Sequence, residues 1–281
     1  MRIAVFGASG FIGSHLVAAL RARGDDVRAA SMREPHAAAA AAGGMDAVVN
    51  LAGEPIAQRW NAEVKHRILE SRTTTPSKFF DALAHVEPKP QTYVTASAIG
   101  YYGMSEEDTF TESSPPGMDF LAQVCVEWEN SAQRGRDLGM RVACVRTGLA
   151  LGLDGGVLKS ILPIFKTGTG GRLGTGKQWY SWIQINDLVG IYMLAIDKLD
   201  GAVNGTAPNP VRNKEFTETL GQTLHRPASL PVPNFALKMM LGEAAEMALQ
   251  GQRVLPERAQ SEGFLFKYPA LEPALANLVS S

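Results

Sequence analysis

The sequence predicts an α/β fold, in which a doubly wound parallel sheet is followed by a small, mainly helical C-terminal subdomain. Short apolar runs alternate with helical patterns through residues 1–206, as they do in βαβ units. A glycine-rich turn joins the first apolar run to the first helical pattern. After Thr206, prolines punctuate the chain and helical patterns replace strands. We therefore expect a sheet-containing domain over 1–206 and the subdomain over 207–281.

The elements follow from two kinds of segment. Short apolar runs are typical of strands buried in a parallel sheet, and longer segments between them predict helices. Strands are expected over 3–6, 27–32, 47–51, 93–97, 141–146 and 182–185. Helices are expected over 13–23, 61–72, 76–86, 119–138, 157–165 and 187–196. The alanine-rich segment 37–42 predicts a shortened helix or a loop.

Composition narrows the class of protein. The chain has 281 residues, a formal net charge of -1, 45% hydrophobic residues and 20% charged residues. This mix argues against general disorder, and without a basic excess no nucleic-acid partner is predicted. No uninterrupted apolar run of about 18 residues predicts a membrane span. Cys125 and Cys144 are expected to be reduced core thiols of a cytoplasmic protein, and the scattered histidines predict no metal site.

The glycine turn, which we define as residues 7–13, follows the first predicted strand and opens the first predicted helix. In a dinucleotide-binding, Rossmann-type domain the first glycine permits a tight turn and the second lets the pyrophosphate approach the backbone. The third lets helix and strand pack closely. The alternative is an ordinary glycine-rich strand–helix turn. The cofactor-binding residues predicted here are Gly7, Ser9, Gly10, Phe11, Ile12 and Gly13.

The end of the second predicted strand bears on the choice of cofactor. An NAD site places an acid there to bind the ribose 2′-hydroxyl. This chain has Ser31, Met32 and Arg33, and no acid before Glu34. Because a guanidinium pairs well with a 2′-phosphate, we predict NADP(H), with NAD as the other possibility. The alternative is that Arg33 is an exposed loop residue.

With these elements in place, the chain resembles the short-chain dehydrogenase/reductase superfamily, in its extended epimerase/dehydratase-like branch. It resembles most closely the atypical epimerase family proteins that carry a C-terminal extension, and the resemblance covers nearly the whole chain. The motifs that carry it are at 10–13, 50–54, 59–60, 71–72, 97–103, 119–121, 128–129, 146–148, 181–183 and 251–254.

The resemblance implies further cofactor contacts. Leu51, Ala52 and Gly53 would run along the cofactor, and Arg72 would reach toward it. A fixed guanidinium suits a phosphate. The alternative is that the positive charge of Arg72 interacts favourably with the dipole at the C-terminus of its helix.

The catalytic groups of the superfamily are only partly present. Its chemistry uses a Ser or Thr, then a Tyr, then a Lys four residues after that Tyr. No tyrosine of this chain has Lys at that spacing, and Phe120 and Val124 stand where the pair would fall. The remaining candidates are Ser97, Tyr101 and Tyr102. The alternative is that Ser97 caps the strand end and the tyrosines pack against the loop.

The segment 171–178 nearly matches a P-loop. Gln178 stands where a P-loop has the Ser or Thr whose hydroxyl binds a magnesium ion, and no strand–loop–helix pattern surrounds the segment. ATP binding is therefore not predicted there. The resemblance implies that 150–180 contributes to the substrate side. Arg172, Lys177, Gln178 and Trp182 would then contact an anionic or planar group; the alternative is a surface loop with Trp182 in the core.

Two functions remain open. The first is an NADP-dependent, epimerase/dehydratase-like oxidoreductase acting on a small polar molecule of possible sugar-like character. The second is an NADP(H)-binding redox-sensing or regulatory protein with weak or no turnover, favoured by the missing Tyr and Lys. By analogy with extended relatives, a homodimer through 76–86 and 119–138 is expected.

Overall fold

A computed structural model describes residues 1–235, 239 and 242–280. Its strands are β1 Arg2–Phe6, β2 Asp26–Ala30, β3 Ala47–Asn50, β4 Thr92–Ala98, β5 Thr109–Phe110, β6 Arg141–Thr147, β7 Leu149–Leu151, β8 Trp179–Tyr180, β9 Trp182–Gln184, β10 Gly201–Gly205, β11 Val211–Arg212 and β12 Arg253–Val254. Its α-helices are α1 Phe11–Ala22, α2 Pro35–Ala42, α3 Ala62–Arg72, α4 Thr74–Leu83, α5 Phe120–Asp137, α6 Gly156–Lys166, α7 Ile185–Asp197, α8 Asn213–Thr223, α9 Glu246–Leu249, α10 Glu257–Ser261 and α11 Leu271–Val279.

The central sheet has six parallel strands in the order β10-β6-β4-β3-β1-β2. β1 lies next to the edge strand β2 and has β3 on its other side, which creates a topological switch point between β1 and β3. In open sheets of this kind, ligands bind outside the carboxyl ends of the strands at such a point. The predicted doubly wound fold is confirmed, and the site is expected at this carboxyl edge.

Helices cover both faces of the sheet, which explains why β1 and β3 are almost entirely apolar and buried. On one face α1 packs with α7, and Leu16 and Leu20 of α1 are completely buried. On the other face α2, α4 and α5 pack together over a core that includes Phe79, Phe80 and Tyr93. Both layers are therefore needed to remove the strands from water.

Several predicted boundaries change. The second strand ends at Ala30 rather than at residue 32, and the alanine-rich segment is the helix α2. The edge strand β10 was not predicted. Cys125 and Cys144 are free and buried, as expected. None of the described helices is long and apolar enough to cross a membrane.

The C-terminal part is helical, as predicted, but it is also joined to the sheet domain by short strands. β11 pairs with β8, and β12 pairs with β5. Leu271 and Leu275 of α11 belong to the same apolar cluster as α1 and α7. The described part of this region therefore shares its core with the sheet domain.

Candidate functional site

The glycine turn has a backbone geometry that only glycine fits at two of its three glycine positions. Gly7 has φ +79°, and a Cβ there would lie 2.9 Å from the backbone nitrogen of Ala52. A Cβ on Gly13 would lie 2.1 Å from the carbonyl oxygen of Gly7. Ser9 and Gly10 are exposed. The turn is therefore tightly packed beneath and open above, as a backbone cradle for a pyrophosphate requires.

The loop after β3 lies against this turn. Asn50 orders the loop, because its side-chain oxygen accepts a hydrogen bond from the Ala52 nitrogen at 3.1 Å. Its amide nitrogen donates to the buried Tyr93 hydroxyl at 3.0 Å. Leu51, Ala52 and Gly53 are thus held at the switch point, where the sequence places the cofactor.

Arg72 lies beneath this loop and is 6% exposed. Its guanidinium donates to the backbone oxygen of Glu54 at 3.0 Å and lies 4.7 Å from the ring centre of Trp128. A Cβ on Gly53 would be 3.1 Å from Nη2 of Arg72, so this glycine permits the close approach. Burial lowers the pKa of Arg72. Its Nε is buried and has no hydrogen-bond partner within the described chain.

Arg33 follows β2 and is exposed. Its backbone nitrogen donates to the Ser31 hydroxyl at 3.2 Å, and no hydrogen bond or ion pair of its guanidinium is found in the described chain. Because β2 lies beside β1 with Ala30 opposite Phe6, the segment that contains Arg33 leaves the sheet at the same edge as the glycine turn. A free cation at this point fits a 2′-phosphate.

A second glycine segment, 152–156, covers Phe11 of the glycine turn. Cβ atoms built on Gly152 and Gly155 would lie 2.5 Å and 2.2 Å from the Phe11 ring. His15 holds Asp154 of this segment at 3.0 Å, and the hydrogen bond from His15 lowers the pKa of Asp154. Ile12 is half-buried. Sequence reasoning did not connect the two glycine segments.

A row of three polar residues crosses neighbouring strands near the carboxyl edge. Ser97 of β4 lies opposite Arg146 of β6, and Arg146 lies opposite Asn204 of β10. Ser97 Oγ donates to Glu129 Oε1 of α5 at 2.7 Å. Arg146 binds the same carboxylate through Nε and Nη2, each at 2.8 Å. With side chains 5% and 12% exposed, Arg146 and Glu129 form a buried two-pronged ion pair.

The two tyrosines differ in their hydrogen bonding. Tyr102 accepts from Arg146 Nη1 at 3.0 Å and donates to Asn204 Oδ1 at 2.6 Å. Burial raises the pKa of Tyr102 to about 12, although Arg146 acts in the opposite direction. Tyr101 is half-buried, and the guanidinium carbon of Arg146 lies 3.4 Å from its ring centre. No hydrogen bond of the Tyr101 hydroxyl is found within the described residues. We call Ser97, Glu129, Arg146, Tyr102 and Asn204 the Ser97 network.

The geometry of the ion pair stabilises the charged form of Arg146. Burial alone would lower the pKa of Arg146, but the hydrogen bonds and the negative charge of Glu129 outweigh burial and raise it. Glu129, Arg146 and Asn204 were not assigned roles from the sequence. The available signal was a charged residue inside the apolar run 141–146 and an acid on the buried face of the predicted helix 119–138.

The positions expected for the missing Tyr and Lys are apolar. Phe120 packs edge-to-face on Trp60 with ring centres 5.6 Å apart, and Lys65 Nζ lies 5.1 Å from the Phe120 ring. Val124 is 2% exposed. Neither position offers a titratable group, so any proton transfer at this site must use other residues.

Gln178 and Trp182, which were expected to contact a substrate, both have side chains that lie in the core. Gln178 is 1% exposed and donates to the backbone oxygens of Leu173 and Ala248 at 3.1 Å and 3.0 Å. Trp182 is fully buried and donates to the Asn209 oxygen at 3.0 Å. These hydrogen bonds attach the loop and the C-terminal region to the sheet domain.

Arg172 and Lys177, in contrast, are at the surface. With Arg212 and Lys214 they line an open groove of about 420 Å³. The segment that contains them leads into β8 and not into a helix, which agrees with the rejection of a P-loop.

Comparison with known proteins identifies the family. The model of the NAD dependent epimerase/dehydratase family matches residues 3–209. The chain belongs to this family. A second model, described as a domain of unknown function (DUF1731), matches residues 232–278.

Three relatives match nearly all of this chain. The chain is 44% identical over 298 residues to the chloroplastic epimerase family protein SDR39U1 homolog of Arabidopsis thaliana, covering 98% of this chain and 86% of that one. It is 37% identical over 299 residues to the epimerase family protein YfhF of Bacillus subtilis, covering 100% and 98%. A crystal structure of human epimerase family protein SDR39U1 with NADPH is similar with a TM-score of 0.94, 34% identity and full coverage of both chains. The predicted epimerase-family resemblance is confirmed.

Proposed function

We propose that this protein binds NADP(H) on the glycine turn and acts as an epimerase/dehydratase-like oxidoreductase on a small polar molecule. The observation that carries the proposal is the glycine turn itself, which is closed beneath by Ala52 and Gly7 and open above at Gly10. Among the described residues, Arg72 Nε has no hydrogen-bond partner and the Arg33 guanidinium makes no hydrogen bond or ion pair, and both groups can donate to phosphate or ribose oxygens. A human relative crystallised with NADPH supports the same cofactor. When bound, this cofactor supplies or accepts a hydride.

The preference for NADP(H) over NAD(H) depends on Arg33 in this proposal. An Arg33→Ala variant is expected to bind NADPH about 10- to 100-fold more weakly, because one or two charge-assisted hydrogen bonds are lost. NADH binding should stay unchanged, since it has no 2′-phosphate. Fluorescence titration of both cofactors measures this, with Arg21→Ala as a control that removes an exposed cation from the far end of α1. Equal loss for both cofactors, or no loss, would contradict this role of Arg33.

Proton supply is assigned to Tyr101. Ser97 and Tyr102 each carry one hydroxyl hydrogen, and both hydrogens are already donated inside the Ser97 network. Tyr101 has a hydroxyl without a partner among the described residues, and a fixed guanidinium lies against its ring. In the reducing direction Tyr101 would give its proton to the carbonyl oxygen, and the cation beside the ring would stabilise the phenolate that remains.

Single substitutions separate the two tyrosines. Tyr101→Phe should lower turnover about 100-fold or more, the usual effect of losing a general acid. Tyr102→Phe keeps the ring and should lower turnover less than about tenfold, because its hydroxyl is buried and already bonded. NADPH oxidation across a panel of carbonyl and sugar-nucleotide compounds provides the measurement. A larger loss for Tyr102→Phe would reverse this assignment.

A second candidate is an NADP(H)-binding redox sensor without turnover. The observation that favours it is the commitment of both the Ser97 and the Tyr102 hydrogens to internal partners. For a sensor, the wild-type chain should oxidise NADPH with no compound of the panel. It should also show different hydrogen exchange in 97–102 with NADPH and with NADP+. Turnover of any panel compound by the wild type, abolished in Tyr101→Phe, would exclude this candidate.

A further inference from the structure

The Ser97 network has a single direction of hydrogen bonding. Arg146 donates to both oxygens of Glu129, so the carboxylate is the acceptor of this pair, and a guanidinium can only donate. The Ser97 hydroxyl, 2.7 Å from Glu129 Oε1, must therefore be the donor of that contact. A hydroxyl has one hydrogen, so Ser97 retains only acceptor capacity for any other group.

We propose that Glu129, held by Arg146, is a positioning residue that fixes Ser97 as a hydrogen-bond acceptor, so that the ligand group meeting Ser97 is an alcohol hydroxyl. This inference rests on the proposed function to the extent that it places the substrate at the carboxyl edge of β4. It differs from a site in which the serine donates to a carbonyl oxygen. Here the alcohol form of the substrate is held more tightly than the carbonyl form.

Because Ser97 is buried, its role as a hydrogen-bond acceptor favours an alcohol ligand over a carbonyl ligand. Ser97 is 3% exposed, so a group that reaches it leaves water behind. A carbonyl oxygen would face the lone pairs of Ser97 without a hydrogen between them, and no water could compensate. A mismatch of one hydrogen bond in a desolvated site weakens binding about tenfold or more. An alcohol is expected to be preferred to its ketone by at least that factor.

The Ser97 network also disfavours rotation of the Ser97 hydrogen away from Glu129 and toward a ligand. Reorienting the Ser97 hydrogen toward a ligand would leave Glu129 Oε1 with only the Arg146 Nε donor. The observed geometry directs Nη1 of Arg146 to Tyr102 and Nη2 to Glu129 Oε2, so neither nitrogen replaces Ser97 at Oε1. The carboxylate therefore keeps the serine hydrogen in the ground state.

Neutron diffraction of the chain in D2O tests the polarity directly and needs no ligand. A deuteron is expected on Ser97 Oγ, pointing at Glu129 Oε1, and none on Glu129. A deuteron on Glu129, or a Ser97 deuteron pointing away from it, overturns the proposal. This result is independent of turnover, so it is separate from the test of the proposed function.

A matched ligand pair tests the predicted ligand class. Cyclohexanol and cyclohexanone are titrated by NMR in the presence of 2′-phospho-ADP-ribose, which lacks nicotinamide and so cannot transfer hydride. The wild type and Ser97→Thr should prefer the alcohol about tenfold or more, and Ser97→Ala should lose the preference. Equal binding of the two probes to the wild type, or binding of neither, overturns the assignment.

A double variant tests Glu129 without leaving a buried charge. The double variant Glu129→Leu with Arg146→Met removes the acceptor of the Ser97 hydrogen and leaves no unpaired charge. The Ser97 hydroxyl can then both donate and accept, so cyclohexanol and cyclohexanone should bind about equally. The matched control is Asp81→Asn with Arg134→Gln, which removes an exposed ion pair between α4 and α5. The control should keep the preference. A double variant that keeps it as well shows that Glu129 does not set the polarity.

Discussion

The Glu129→Ala variant is expected to lose about 3–5 kcal/mol of its free energy of unfolding, because Arg146 is left as an unpaired charge in the core. The side chain of Arg146 is 5% exposed, so water cannot replace the carboxylate. Ser97 would lose its acceptor in the same substitution. Urea unfolding monitored by tryptophan fluorescence measures the effect as a lower midpoint at an unchanged slope.

Two comparisons identify the cause of that loss. Replacing Glu129 by Leu and Arg146 by Met together should recover most of the stability, since no charge remains buried. Asp81→Ala breaks an ion pair whose side chains are 65% and 40% exposed, and it should cost less than about 1 kcal/mol. Equal midpoints for the single and the double Glu129 variants would show that the unpaired charge is not the cause.

The Gly13→Ala variant should lose NADPH binding by about 100-fold or more and should also be destabilised by about 1–3 kcal/mol, the usual cost of overpacking. Its Cβ would lie 2.1 Å from the carbonyl oxygen of Gly7, so α1 must move away from the glycine turn. The N–H groups at the start of α1 would then no longer meet the pyrophosphate. NADPH titration and thermal unfolding together measure both effects.

Other glycines serve as controls for this result. Gly10→Ala places its Cβ 3.2 Å from the Gly7 oxygen, so it should fold nearly normally and lose affinity only where the added methyl meets the cofactor. Gly24→Ala has open space around its Cβ but keeps φ +93°, so it should lose some stability and no affinity. If Gly13→Ala binds NADPH like the wild type, the glycine turn is not the pyrophosphate site.

The local features of this fold could be predicted from the sequence. The apolar runs of β1, β3, β4 and β6 and the glycine turn each depend on residues close in sequence, and all are found. The edge strand β10 was missed because Gly201–Gly205 has two glycines and one asparagine, and an edge strand needs little apolar sequence. Its polar Asn204 nevertheless completes the Ser97 network.

The candidate site could be predicted only in part. Ser97 and Glu129 are 32 residues apart, and Tyr102 and Asn204 are 102 apart, so their contacts depend on the register of β4, β6 and β10. That register is set by packing and is not readable from one strand alone. The burial of Gln178 could not be predicted for a similar reason, because it depends on the distant Ala248.

A crystal structure of the chain with NADPH tests the central claim most directly, namely that the cofactor binds on the glycine turn while the Ser97 network keeps its internal hydrogen bonds. We predict the pyrophosphate on the glycine turn, the 2′-phosphate at Arg33, and Ser97 still bonded to Glu129. A pyrophosphate bound elsewhere, or a Glu129–Arg146 pair opened by the cofactor, would contradict the account.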